Sequence, residues 1–375
     1  ASATAAVVDT VTVSATAGAD TSTAAIRINV TMGDDDWQGM ADLPEALTEA
    51  KVVGAGGYLY ALGGALLESD GTRTTRVLVD STYRWDPATN GWDDCAVADL
   101  PDTVSLGGAC AMNGHIYYVG GLNQLADSTA GTPAFFAPGL LDYDIATDTW
   151  TEGVAPTYLV MNPIVACDPA AGRIYVYGGY VDVDRDGEAS IPSDDEPDNP
   201  DTTVPLFQMY AVATGAWRDD LTPEGEIGLS SAGVVLLDGR IHFAGGQFQQ
   251  QDDVTGRWQG FITRTTTTYD IAGDSWTDGP WLPDFNGSPV GVAFRGRFCI
   301  IGGEGGGETP TVYPDWWCLT DPTWVVQSDP LPATIASFGA TVMGDNIYVV
   351  GGTPGDGTAL ATAQRWPTGT LPPAT

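Results

Sequence analysis

The chain of 375 residues contains one lysine, Lys51, and two histidines, His115 and His242. Lysine and arginine together number 14 against 49 aspartates and glutamates, a formal net charge of -35. Basic stripes are therefore absent, and with them the electrostatic footprint of a nucleic-acid partner. No run of about 18 apolar residues occurs, so no transmembrane segment is expected. No signal-peptide pattern is visible, which fits a mature form. The five cysteines, Cys95, Cys110, Cys167, Cys299 and Cys318, show no CxxC or other metal spacing. No glycine-rich phosphate loop opens a helix, no convincing Ser-His-Asp order is present, and no organic cofactor is expected.

The acidity has two readings. Strong negative charge keeps a protein soluble and self-repelling, a lever that halophiles use. The alternative is a surface built to bind divalent cations.

What the chain has in abundance is repetition. YLYALGG ends at Gly64, HIYYVGG at Gly121, RIYVYGG at Gly179, RIHFAGG at Gly246, RFCIIGG at Gly303 and NIYVVGG at Gly352. Each is an apolar strand closed by two glycines. Each double glycine follows a tryptophan by 26 to 28 residues: Trp37, Trp92, Trp150, Trp217, Trp276 and Trp324. Repeats of about this length mean a propeller or a solenoid. Asn113-Gly114 and Asp238-Gly239 stand just before two of these strands and suit tight hairpin turns. A tyrosine precedes the tryptophan by seven residues in Tyr143-Asp-Ile-Ala-Thr-Asp-Thr-Trp150, Tyr210 to Trp217 and Tyr269 to Trp276. The repeat-position Gly, Tyr and Trp residues are expected to be structural.

Over residues 35 to 366 this pattern resembles the kelch motif, with its Gly-Gly strand followed by an aromatic and a tryptophan. The resemblance implies an all-β fold, a six-bladed kelch-type β-propeller with an N-terminal β-strand extension. Residues 34–367 form the propeller. Trp366 ends its third strand in the last blade, and the segment around Trp37 supplies the fourth, which closes the ring and removes open edges. Residues 368–375 form a Pro/Thr-rich tail. Residues 1–33 hold two strand patterns, Ala6–Val13 and Ala24–Val30. They read as a hairpin docked on the propeller, as a seventh, incomplete blade, or as a strand donated to a neighbouring molecule.

The resemblance also places the loops between second and third strands on one face, with the blade-to-blade connections. The longest insertion carries Asp182-Val-Asp184-Arg-Asp186-Gly187-Glu188. Carboxylates at alternate positions before a glycine form the first half of an EF-hand-type calcium loop. Asp182, Asp184, Asp186 and Glu188 are therefore candidate Ca2+ ligands. The twelfth position is Ser193 rather than glutamate, and Asp194, Asp195 and Glu196 follow. A solvated acidic loop is the plainer alternative.

Some kelch proteins are copper radical oxidases and others sugar epimerases. His115 and His242 fall inside glycine-ended strands two blades apart, where a structural role is expected. Cys299 and Cys318 fall on adjacent strands of one blade and are candidates to pair. Cys110 and Cys167 occupy near-equivalent first-strand positions in successive blades. Asn29-Val-Thr31 and Asn286-Gly-Ser288 match the glycosylation sequon. Together these features point to a non-catalytic extracellular or cell-surface propeller acting in assembly or adhesion, such as a filament or surface-layer subunit joined through its N-terminal strands. The expected partner is a second copy, another surface protein or a glycan. The alternatives are calcium-dependent carbohydrate or protein binding and, behind it, a kelch-type oxidase or epimerase.

Overall fold

The computed structural model describes residues 8–17, 20–29, 36–69, 71, 74–93, 97–126, 133–137, 139–183, 185–189, 202–221, 227–251, 258–306, 311–354 and 358–366. Regular structure among them is entirely β. Six antiparallel four-stranded sheets follow one another among the described residues. Blade 1 consists of Lys51–Ala55, Tyr58–Leu62, Thr82–Asp86 and Gly91–Asp93. Blades 2 to 5 begin at the strands Gly108–Met112, Ile164–Asp168, Gly233–Leu237 and Val290–Phe294. Blade 6 has Gly339–Met343, Asn346–Val350 and Ala363–Trp366, and its fourth strand is Gln38–Gly39 from the other end of the chain.

The six first strands contact one another in cyclic order, and that of blade 6 meets that of blade 1. The core lies between blades rather than within one layer. Tyr60 and Leu62 of blade 1 pack on Ile116 and Tyr118 of blade 2. Trp85 of blade 1 packs with Tyr348 of blade 6, and Trp316 and Val292 of blade 5 with Trp366 and Val349 of blade 6. A strand that alternates side chains to its two faces can serve both neighbours in this way.

The repeated residues have repeated duties. Gly63 and Gly64 both take left-handed φ values, 54° and 100°, which L side chains rarely adopt. A Cβ on Gly64 would stand 2.6 Å from the Thr48 carbonyl and 2.7 Å from the Ala50 nitrogen. The turn lets the Gly64 N–H donate to the Val104 carbonyl at 2.8 Å, in the segment entering the next blade. Gly121, Gly179, Gly246 and Gly352 donate to the corresponding carbonyls of Val160, Leu229, Asn286 and Leu47.

Five of the six tryptophans tie their blade to the connection that leads into it. Trp92 Nε1 donates to Ala41, Trp150 to Ala98, Trp217 to Val154, Trp324 to Pro280 and Trp37 to Asp329, at 2.7 to 3.0 Å. Asn113-Gly114 and Asp238-Gly239 have positive φ at both residues, as a tight hairpin turn requires.

The N-terminal strands, Val8–Ala17 and Asp20–Asn29, each of 10 residues, form an antiparallel hairpin. Among the described residues neither strand pairs with a blade. The tail, 368–375, lies outside the described residues.

Candidate functional site

The first strands line a central channel whose cavity measures about 740 Å³. Its wall is mostly aliphatic, with Val52, Ala109, Val165, Val234 and Val292 among the lining residues. Its mouth is polar, because two sets of segments converge there. One set is the residue two positions before each first strand: Glu49, Leu106, Asn162, Ser231, Ser288 and Ser337. Five of these six, all but Ser288, have positive φ. The Glu49 N–H donates to the Ser337 carbonyl, Asn162 to Leu106 and Ser231 to Asn162, so the backbone itself links neighbouring blades around the opening. The other set comes from the insertions between second and third strands, which supply Arg76, Tyr180, Gln247 and Glu304 to the cavity. Thr48, Ser105 and Ser230 bridge to Ala65, Leu122 and Gln247 respectively, which fixes each insertion to the connection beside it.

Two charged clusters occupy the mouth. Glu49 accepts hydrogen bonds from the Arg76 guanidinium and from Ser105 Oγ, the latter at 2.6 Å. The Arg76 Nε is buried and has no hydrogen-bond partner among the described residues. An unanswered buried donor is costly and calls for an acceptor. The second cluster joins Gln247, Ser288 and Glu304. Gln247 Nε2 donates to Ser288 Oγ and to Glu304 Oε1 at 3.0 Å each, and Ser288 Oγ donates to Glu304 Oε1 at 3.1 Å.

Lys51 also lines the cavity. Burial pushes its amine below the usual lysine range, against the opposing pull of the Glu49 carboxylate. Burial likewise raises the Tyr180 phenol.

The proposed calcium ligands are placed only in part. Asp182 is buried, and its Oδ2 accepts the Gly187 N–H at 3.2 Å. Asp186 Oδ1 accepts the Glu188 N–H at 2.8 Å. Glu188 forms a backbone bridge to Phe135. Gly187 has φ 81°, which makes the turn sharp. Asp184, Ser193, Asp194, Asp195 and Glu196 lie outside the described residues. Among the described residues no three His, Cys, Asp or Glu side chains gather as a metal site.

The histidines stand apart from the channel mouth. His115 Nδ1 is 2.8 Å from Asp142 Oδ1, and His242 Nδ1 is 2.9 Å from Thr268 Oγ1. Cys110 is bonded to Cys167 across blades 2 and 3, and Cys299 to Cys318 across two strands of blade 5. Cys95 lies outside the described residues. Asn286 of the second sequon is buried, and its Nδ2 donates to the Gly302 carbonyl at 2.7 Å, so its amide serves the fold.

Sequence reasoning passed over Glu49, Lys51, Arg76, Gln247, Ser288 and Glu304. A signal was present for two of them. Lys51 is the chain's one lysine, and Glu49 is the one charged residue in a register of small polar and apolar ones.

Known proteins were compared with this chain. Kelch-like protein 35 of Mus musculus is 27% identical over 214 residues, which cover 56% of this chain and 29% of the relative. Kelch-like protein terF of Aspergillus terreus is 28% identical over 308 residues, covering 79% of this chain and 59% of the relative. The chain resembles kelch-repeat proteins. It spans less than two thirds of the length of either of these kelch-like relatives. The kelch chain is also 23% identical over 308 residues to an N-acetylneuraminate epimerase of Pasteurella multocida, covering 73% of this chain and 79% of that one. The solved structure of YjhT superposes with a TM-score of 0.64 at 14% identity, covering 86% of the kelch chain and 96% of YjhT. No family model matches.

Proposed function

We propose that this kelch propeller binds a small acidic carbohydrate in the mouth of its central channel. The observation that carries the reading is the part-exposed Arg76 guanidinium at the rim of a 740 Å³ cavity. A carboxylate of the ligand would share the exposed part of this guanidinium with Glu49. Similarity to an N-acetylneuraminate epimerase supports this ligand class. The cavity-lining acids Glu49 and Glu304 are the groups to watch for turnover, and NMR of the added sugar would detect epimerisation. The test is calorimetric titration with N-acetylneuraminate. Saturable binding that Arg76→Met weakens at least tenfold is expected; absence of binding to the unaltered protein overturns the proposal.

A second reading, self-assembly at a cell surface, is favoured by the N-terminal hairpin. An isolated two-stranded hairpin is marginal in water and has two open edges. Strand addition to a neighbouring copy would stabilise it, and a head-to-tail joint that does not close gives a fibre. Two disulfides support placement in an oxidising, extracellular compartment. Calcium at Asp182, Asp184, Asp186 and Glu188 belongs with this surface reading. Negative-stain imaging should show fibres or sheets of the whole chain and single propellers after deletion of residues 1–33. Single particles in both samples remove the assembly role.

A further inference from the structure

The channel mouth holds a group that a site for simple sugars does not require. Lys51 is the one lysine in a chain of net charge -35. On an acidic surface its amine would be an ordinary solvated cation. Instead it lines the cavity, at the start of the first strand of blade 1. The equivalent positions in the other blades are Gly108, Ile164, Gly233, Val290 and Gly339. The lysine therefore breaks a register of glycine and aliphatic residues.

Its surroundings separate it from its neighbouring charges. Glu49 lies two residues earlier, at a left-handed turn just before the strand. That carboxylate is already engaged by Arg76 and Ser105. Among the described residues no carboxylate lies within ion-pair distance of the Lys51 amine. Burial disfavours the charged form of this amine and lowers its titration. Lysine attacks carbonyl carbon through its uncharged amine, so a cavity-lining lysine with a lowered titration is suited to that role.

We infer that Lys51 forms an imine with a 2-oxo acid held in the channel mouth, its carboxylate on Arg76 and its keto carbon at the Lys51 amine. This rests on the channel mouth being the ligand site and names the ligand's reactive group. The step balances without a redox partner. The Nζ lone pair attacks the keto carbon, the C=O π pair moves to oxygen, and the nitrogen loses a proton as the oxygen gains one. The carbinolamine then expels its hydroxyl as water and the nitrogen gives up its second proton. Amine and ketone thus become imine and water. The Glu49 and Glu304 carboxylates, the Arg76 guanidinium and the Tyr180 phenol are the titratable groups that share the cavity with this amine.

The single lysine makes the test clean. The full chain is incubated near pH 7 with pyruvate and sodium cyanoborohydride, which reduces an imine to a stable secondary amine, and adducts are mapped by peptide mass spectrometry. Lys51 should be labelled at least tenfold faster than Nα-acetyl-lysine in the same solution, and the Lys51→Arg protein should carry no adduct at that position. Labelling no faster than the free amino acid overturns the inference. Thermal melting of Lys51→Arg shows that the variant is folded; if it is not, the rate on the unaltered chain decides alone. Lactate, which lacks the keto group, separates the two readings. Arg76-dependent binding of lactate with slow labelling of Lys51 rejects the imine and leaves the mouth as a ligand site. No binding and slow labelling reject both.

Discussion

Cys110 and Cys167 are bonded to each other on the channel wall, joining the first strands of blades 2 and 3 with Cα atoms 5.7 Å apart. The bond spans 57 residues of chain, whereas Cys299–Cys318 closes only 19 within one blade. Chain entropy makes the longer loop worth about 4 kcal/mol and the shorter about 3 kcal/mol. The double serine variant at 110 and 167 should therefore melt lower than that at 299 and 318. Thermal midpoints of the two variants check the order.

Two glycines of blade 1 differ in what surrounds them. Gly57 and Gly64 both have left-handed φ, but a Cβ at Gly57 meets nothing within 4 Å. Gly57→Ala should cost about 1–2 kcal/mol from backbone strain alone. Gly64→Ala adds collisions with the backbone of Thr48 and Ala50 and should cost a further ~1–3 kcal/mol. Denaturant midpoints of the pair measure the difference.

The contrast explains what could be read from the chain. Gly64 and Trp92 repeat because one backbone geometry repeats, so their spacing exposed a propeller or solenoid, and the kelch resemblance pointed to the propeller. The pairing of Cys299 with Cys318 was accessible for the same reason, since they are cross-strand neighbours in one sheet. Arg76 was not legible. It sits on an insertion whose length and sequence vary from blade to blade, and it meets Glu49 where that insertion joins the connection beside it. The N-terminal strand patterns were readable as strands, because pairing of Val8–Ala17 with Asp20–Asn29 is local. What such a hairpin joins is set by a surface that its own sequence does not encode.

His242 gives the fold an acid-side weakness. Burial and the Arg240 charge hold it below the usual histidine range. Its packed surroundings are Thr268 and Phe298, with Arg240 and Asp238 as the nearby charges. The unfolded chain binds a proton near the ordinary value of 6.5, before the folded chain does. Stability is thus fully present above that pH and falls as the pH drops from there toward the folded value. His242→Gln should flatten this part of the curve. Urea midpoints between pH 8 and pH 5 follow it, with the unaltered protein as reference.

The calcium proposal makes a sharper demand on the loop after blade 3's second strand. Asp182 already accepts the Gly187 N–H, so the turn is curled before any ion arrives. With an incomplete ligand set, affinity should lie in the range of weak extracellular sites, a Kd of about 10⁻⁴–10⁻³ M. Asp184→Asn and Asp186→Asn should each abolish uptake in calorimetry without lowering the melting temperature in chelator. Equal uptake by these variants would assign the ion to another acidic surface.

The two ends of the chain separate assembly from ring closure. Gln38 and Gly39 pair with Arg365 and Gln364, and the Arg365 guanidinium donates to Gln38 Oε1 at 2.9 Å. Trp37 is buried among residues of blades 5 and 6, and its indole donates to Asp329 at 3.0 Å. Residues 1–33 make no strand pairing with a blade among the described residues. Deleting 1–33 should therefore leave the melting temperature almost unchanged. Deleting 1–39 removes the fourth strand of blade 6, a buried tryptophan and the interlock of the two termini. Losing the tryptophan alone costs about 3–5 kcal/mol, and at about 1.3 °C per kcal/mol for a chain of this length the midpoint should drop by at least ~4–6 °C. Adding back a peptide of residues 34–41 should recover part of the loss, because that strand binds through the edge it left open. Equal melting of the two truncations would mean that the ring does not depend on its N-terminal strand.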